Sequence, residues 1–161
     1  MTNEAFLEFV KGECIKHNVK FRIGGELVNI EGERANGYFT TEPNPQLVIS
    51  SDVSLDHLVH EYVHMLQFVE LGEKWFHKIP IAELELDCEK RSVEIIKKFK
   101  LKLGINKYIK LANAYLYSFT IKDMFPDKKM KLYPSMITSI IDKCQLSFLL
   151  RKNIKHHQNG W

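Results

Sequence analysis

The chain has 161 residues, 45% of them hydrophobic and 27% charged, with a formal net charge of +3, and this length predicts one domain over residues 1–161 with a sizeable core. No apolar run approaches the about 18–20 residues of a membrane span, and the acidic start lacks the basic region of a signal peptide, so we expect a cytoplasmic protein without a membrane partner. The three cysteines are widely spaced and indicate reduced thiols rather than a disulfide framework or a cysteine zinc site: Cys14, Cys88 and Cys144.

The first third of the chain predicts one helix followed by short strands. Apolar residues at helical spacing predict a helix over residues 5–17, capped by Thr2 or Asn3. Four segments predict strands, the first two as a hairpin across Gly24 and Gly25: residues 19–23, 26–30, 37–41 and 46–50. The fold class predicted from these elements and the helices that follow is α+β, with a small antiparallel sheet.

The next helix carries the most informative pattern of the chain. Asp52 or Ser54 can cap it, and Gly72 can end it after about Glu70. Within it, residues 60–64 read His-Glu-Tyr-Val-His. Two histidines four residues apart share one helix face, so both imidazoles can bind one zinc ion, and the glutamate between them can take a proton from water.

The remainder of this helix is apolar except in one sector, which indicates a buried helix with a metal ion on that sector. The polar sector holds five residues: His57, His60, Glu61, His64 and Gln67. His57 lies one turn before His60 and can line a cleft or act as a ligand. Three ligands from one helix strain a tetrahedral geometry, which favours cleft lining.

A catalytic zinc ion takes three protein ligands, and the third is expected from a second long helix over residues 81–96. Helical projection places Glu85 and Glu89 on a face otherwise lined by apolar and small residues, whereas Glu83 and Asp87 lie on a charged, solvated face. We predict Glu85 as the third ligand, with a pairing to a lysine or arginine as the alternative. Glu89 would orient a ligand imidazole or replace Glu85.

Beyond Gly104 the sequence predicts two more helices, over residues 105–119 and 134–151. Donors for a developing oxyanion are available in four side chains, and the sequence does not choose among them: Tyr108, Tyr115, Tyr117 and His77. Residues 1–90 carry 8 Lys/Arg against 16 Asp/Glu, whereas residues 91–161 carry 15 against 4. Such a basic half can bind nucleic acid, but its lysines are dispersed and accompany no nucleic-acid motif, which favours a solvated surface.

The segment from Gly37 to Phe99, with its Leu58–His64 motif and acidic helix, resembles the glutamate-ligated zincin metallopeptidases. It is closest in scale to minimal zincin-like proteins, including the ImmA/IrrE type of bacteria and their phages. The resemblance implies Zn²⁺ bound by His60, His64 and Glu85, with Glu61 as general base. It also implies that the strand before the metal helix presents an edge to an extended peptide. The alanine-rich context expected around the third ligand is replaced by Glu-Leu-Asp-Cys-Glu-Lys-Arg.

The leading functional hypothesis is a zinc-dependent peptidase with a narrow range of protein or peptide substrates, because so small a domain cannot carry an extensive cleft. The second is a zincin-like zinc-binding module without turnover, used for interaction. The third is a protease that is recruited to nucleic acid by the basic C-terminal half. Glu61 favours the first hypothesis over the second, because a purely structural zinc site has no use for a base.

Overall fold

A helix, a small mixed sheet and two longer helices form the first of two compact units, Met1–Gly104, and the second unit spans Ile105–Trp161. The computed structural model describes residues 1–24, 27–28, 34–72 and 78–124, with side chains described as far as residue 117 except at residues 28, 34 and 35. The predicted α+β class is confirmed. The single domain expected from the chain length stays a prediction.

Helix α1 spans Asn3–Lys16, as its apolar spacing predicts. The hydroxyl of Thr2 accepts a hydrogen bond from the backbone N–H of Ala5 at 3.2 Å and so caps the first turn. Phe6, Val10 and Cys14 recur every four residues and are fully buried. They form the face by which α1 packs against the rest of this unit.

The sheet is mixed rather than antiparallel. Strand β5 (Gln46–Ser50) lies between β1 (Lys20–Gly24), to which it is parallel, and β4 (Gly37–Thr40), to which it is antiparallel. A separate two-stranded ribbon pairs β2 (Leu27–Val28) with β3 (Arg34–Ala35). The predicted hairpin is therefore wrong in the described residues, where β2 pairs with β3 and β1 pairs with β5. The physical reason lies in β5, whose apolar run is buried throughout and needs a neighbour on both edges.

Helix α2 spans Leu55–Leu71 and packs against the sheet and against helix α3, Ile81–Lys98. Ser54 is its N-cap residue, and Gly72 ends it with a φ of +63°, a conformation that favours glycine. Both boundaries agree with the sequence prediction. In the second unit, helix α4 spans Ile105–Met124, and the helix predicted over residues 134–151 lies outside the described residues.

Four aromatic rings join α1, α2 and the end of α3 into one core: Phe6, Phe9, Tyr62 and Phe99. Their centroids lie 4.8–6.0 Å apart, the range in which aromatic pairs attract each other. This core holds the far side of α2, so the polar sector of α2 is directed towards β4 and α3. In the described part of the chain, no helix has the length and apolar character needed to cross a membrane.

Candidate metal centre

The two motif histidines face each other on α2. The Nε2 atoms of His60 and His64 are 3.0 Å apart, and the rings meet edge to face with their centroids 4.6 Å apart. Their spacing of four residues explains this, because side chains one turn apart lie above each other on a helix. His64 is buried, and the His60 side chain keeps 17% of its surface exposed. The pair is therefore accessible at its His60 end.

Glu85 on α3 completes a triangle with the two histidines. Its Oε2 lies 3.5 Å from His60 Nε2 and 3.6 Å from His64 Nε2. Two atoms bound to one tetrahedral zinc ion at about 2.0–2.2 Å lie about 3.3–3.6 Å from each other. The three observed separations, 3.0, 3.5 and 3.6 Å, are close to that range. The residues present therefore fit a zinc ion if the two Nε2 atoms move apart by about 0.3 Å.

The opposite ring nitrogens are engaged by acceptors. His60 Nδ1 lies 3.2 Å from Glu89 Oε1, and His64 Nδ1 lies 2.9 Å from Gln67 Oε1. A carboxylate or amide oxygen can only accept a hydrogen bond here, so both Nδ1 atoms carry a proton. In the neutral form that metal binding requires, each imidazole has its Nε2 lone pair on the side that faces the other ring and the carboxylate of Glu85. Three electron-pair donors thus converge on one point.

The electrostatic surroundings favour a positive charge at this point. Burial by itself lowers the pKa of His60, but hydrogen bonds to Cys88 and Glu89 outweigh it and raise the pKa to about 12. Burial also lowers the pKa of His64, but hydrogen bonds to Cys88 and Glu85 raise it to about 10. Either a proton or a metal ion would supply the positive charge that the groups around the two imidazoles stabilise. The two compete for the ring nitrogen lone pairs of His60 and His64.

The buried face of α3 is the one that the helical projection predicts. Glu85 and Glu89 are buried, together with Cys88 and Ser92, whereas Glu83 is exposed. The structure therefore confirms the orientation of this helix and brings Glu85 to both histidines, with Glu89 behind His60. That Glu85 binds a metal, rather than only forming ion pairs with the histidines, stays a prediction.

Glu61 lies beside the triangle and against the first residue of β4. It is buried, and its negative charge contributes to the raised pKa of His60. A Cβ atom added to Gly37 would stand 3.4 Å from Glu61 Cγ and 3.1 Å from the carbonyl oxygen of Val48. The strand thus approaches Glu61 closely because residue 37 has no side chain.

Cys88 is a further candidate ligand, although the sequence indicated a reduced thiol outside any zinc site. Its Sγ lies 3.5 Å from His60 Nδ1 and donates a hydrogen bond to the carbonyl oxygen of His60 at 3.5 Å. One potential ligand atom each from His60, His64 and Cys88 lie within 4.8 Å of one another.

His57 is placed apart from the triangle. Its Nδ1 lies 2.7 Å from Ser54 Oγ and its Nε2 lies 3.3 Å from Asn36 Nδ2. The side chain is 46% exposed, so its ring faces solvent at the N-terminal end of α2. A hydrogen bond from His57 also holds the pKa of Asp56 well below its usual range. These contacts place His57 away from the two motif histidines, and its role in lining a cleft stays a prediction.

The predicted oxyanion donors lie elsewhere in the chain. Tyr108, Tyr115 and Tyr117 are all on α4 in the second unit, where Tyr108 is buried and Tyr115 is exposed. His77 lies outside the described residues. The assignment of an oxyanion donor to one of these four side chains stays a prediction.

The sequence did not reveal the hydrogen bonds that Gln67 makes to His64 and to Asp87. Gln67 was grouped in the polar sector of α2 without a partner, and Asp87 was assigned to the solvated face of α3. In the structure, Gln67 contacts His64 and donates to Asp87 Oδ2 at 2.8 Å. The available signal was the spacing of Gln67 three residues after His64, which places the two side chains side by side on a helix.

A scan against models of known protein families found no family that matches this chain, and searches of curated proteins and of solved structures found no match either. The resemblance to zincins therefore rests on the sequence motif and stays a prediction.

Proposed function

We propose that this protein is a zinc-dependent peptidase in which His60, His64 and Glu85 bind the metal ion and Glu61 is the general base. The supporting observation is the convergence of two Nε2 lone pairs and one carboxylate oxygen, with separations of 3.0–3.6 Å. All three are ligand types that catalytic zinc sites use, and three protein ligands leave one position for water. The zincin resemblance of the sequence leads to the same assignment.

A zinc ion bound there would polarise a peptide carbonyl and lower the pKa of a water molecule towards about 7. Glu61 would accept the proton of that water and pass it to the leaving amine. Glu89 would hold the proton on His60 Nδ1 and keep the ring oriented. The burial of Glu61 and of His64 limits access of bulk solvent to these groups.

The substrate would be an extended peptide or a protein segment. Strand β5, which immediately precedes α2, is the central strand and so cannot present a free edge, contrary to the sequence expectation. In the described part of the chain, β4 pairs with β5 on one side only, and its first residue, Gly37, lies next to Glu61. Backbone pairing along β4 would place a substrate peptide bond beside the proposed base.

The direct test is cleavage of a peptide library prepared from a whole proteome, with new termini identified by mass spectrometry. Zinc-loaded wild-type protein should produce a restricted set of termini that are missing with the Glu61→Gln variant and with chelator-treated protein. A wild-type protein that binds zinc but yields no termini beyond those of Glu61→Gln would contradict the peptidase function.

One observation favours a second candidate, a zinc-binding module without turnover. Cys88 lies close enough to both histidines to share a metal ion with them, and Glu85 would supply a fourth ligand. Four protein ligands close a zinc site and leave no position for water. Cobalt substitution distinguishes the two, since a cysteine ligand adds a strong near-ultraviolet absorption that a site of nitrogen and oxygen ligands lacks.

A further inference from the structure

The side-chain amide of Gln67 is buried between α2 and α3 and uses its polar atoms in three hydrogen bonds. Gln67 is 1% exposed. Its Nε2 donates to the carbonyl oxygen of Leu84 at 2.9 Å and to Asp87 Oδ2 at 2.8 Å. Its Oε1 lies 2.9 Å from His64 Nδ1.

These partners leave only one orientation for the amide. A backbone carbonyl and a carboxylate both accept hydrogen bonds, so the atom facing them must be the NH₂ group. The oxygen then faces His64, whose Nδ1 must donate. The imidazole of His64 is thereby held with its proton on Nδ1 and its lone pair on Nε2, directed at His60 and Glu85.

The same network continues to the protein surface. Asp87 accepts from Arg91 Nε at 2.7 Å, and Arg91 Nη1 donates to Glu70 Oε2 at 2.7 Å. The side chain of Asp87 is 45% exposed and that of Glu70 is 54% exposed. Gln67 and Glu70 both belong to α2, about one turn apart, and Asp87 and Arg91 of α3 connect them. The partly exposed carboxylate of Asp87 is thus connected to the buried His64 through the side-chain amide of Gln67.

The two histidines are supported differently. His60 donates to the carboxylate of Glu89 directly, whereas His64 donates to a neutral amide that is itself held by a carboxylate. An amide oxygen is a weaker acceptor than a carboxylate, and its orientation depends on the partners of its NH₂ group. The orientation of His64 therefore depends on Asp87 in a way that the orientation of His60 does not.

We propose that Gln67, held in place by Asp87 and Leu84, is the positioning residue that fixes His64 for metal binding, so that Asp87 controls metal affinity from the surface of α3. The inference rests on the proposed metal centre and adds to it two residues that do not touch the metal ion. Its effect is on the affinity for the metal and on the geometry at the metal, since neither residue reaches the reacting atoms.

The test measures zinc affinity by competition with a chromogenic chelator, in the full-length protein. Asp87→Ala should weaken zinc binding by about 10–100-fold, the usual effect of losing a group that orients a ligand. Glu83→Ala, an exposed carboxylate one turn away on the same helix, is the matched control and should leave the affinity unchanged. Because Asp87 is partly exposed, its replacement should leave the metal-free protein folded, as circular dichroism would verify.

Two further variants examine the amide itself. Gln67→Glu keeps an acceptor for His64 but turns an oxygen towards Leu84 and Asp87, so it should also lose affinity. Adding Asp87→Asn provides an NH₂ donor opposite the new carboxylate, and the double variant should recover part of the lost affinity. The visible spectrum of the cobalt-loaded protein should change in Gln67→Glu and return towards wild type in the double variant, which a loss of packing alone would not produce.

The outcomes separate this inference from the proposed function. A wild-type protein that takes up no zinc overturns both. If wild type binds zinc and both Asp87→Ala and Gln67→Glu bind it equally tightly, with unchanged cobalt spectra, the positioning role is overturned. The metal centre itself is not contradicted by that result.

Discussion

At the scale of single residues, the metal centre follows from hydrogen-bond complementarity. His60 and His64 each give their Nδ1 proton to an oxygen, so their Nε2 atoms meet 3.0 Å apart as acceptors. Two lone pairs and a carboxylate in contact repel one another unless a positive charge lies between them. Without a metal ion, a bound proton can supply that positive charge, and the pKa of each histidine is raised accordingly.

Replacing Glu61 by glutamine should abolish peptide hydrolysis and leave zinc bound. Glutamine has the same shape and can still hydrogen-bond water, but it cannot accept the proton, so we expect a loss in kcat on the order of 10²-fold or more. Peptide cleavage assays and zinc analysis on the same preparation would check this. Undiminished cleavage by Glu61→Gln would remove Glu61 from the mechanism.

Replacing Glu85 by alanine should weaken zinc binding by more than the about 10–100-fold that loss of an orienting group costs, because a direct ligand is removed. Glu83→Ala on the exposed face of α3 serves as the control and should change stability by no more than about 0.5 kcal/mol. Chelator competition measures both variants. If Glu83→Ala released zinc and Glu85→Ala did not, the assignment of the third ligand would be wrong.

At the scale of elements, one side of α2 packs in the aromatic core, and its polar sector faces β4 and α3. The face of α3 that bears Glu85 was predictable because a helix repeats every 3.6 residues and sorts buried from solvated positions. The partner of β1 was not predictable, because alternation along a strand indicates which face is buried but not which strand lies alongside. The hydrogen bonds of Gln67 to Leu84 and Asp87 depend on how α2 packs on α3, which no pattern within either helix specifies.

Replacing Gly37 by alanine should reduce the rate of hydrolysis while zinc stays bound. The added methyl group would stand 3.1 Å from the Val48 carbonyl and 3.4 Å from Glu61 Cγ, so either β4 or Glu61 must shift by a few tenths of an ångström. A displaced base lowers kcat, and misplacement of about 1 Å costs on the order of 10²-fold. Gly12→Ala is the control, since a Cβ there meets nothing within 4 Å. Equal kcat values for Gly37→Ala and wild type would show that β4 does not position Glu61.

At the scale of the whole molecule, all proposed ligands and the proposed base lie in the unit Met1–Gly104. The chain is acidic over residues 1–90 and basic over residues 91–161, so the proposed ligands and base and most of the basic charge belong to different parts of the sequence. The sequence alone was sufficient to bring His60 and His64 together with Glu61 beside them, because these residues are local along one helix.

A fragment of residues 1–104 should therefore fold and bind one zinc ion on its own. It contains α1, the sheet, α2 and α3, with the aromatic core that joins them. Circular dichroism with and without zinc, together with elemental analysis, would check this. A fragment that is unfolded in the presence of zinc would show that the metal centre requires the second unit.

The most direct measurement is X-ray absorption at the zinc edge on full-length protein purified without chelator. We expect about one zinc ion per chain, surrounded by two imidazole nitrogens and carboxylate and water oxygens at about 2.0–2.2 Å, with no sulfur neighbour. A sulfur neighbour at about 2.3 Å would make Cys88 a ligand and favour the module without turnover. Protein that contains no zinc and takes none up would contradict the metal centre altogether.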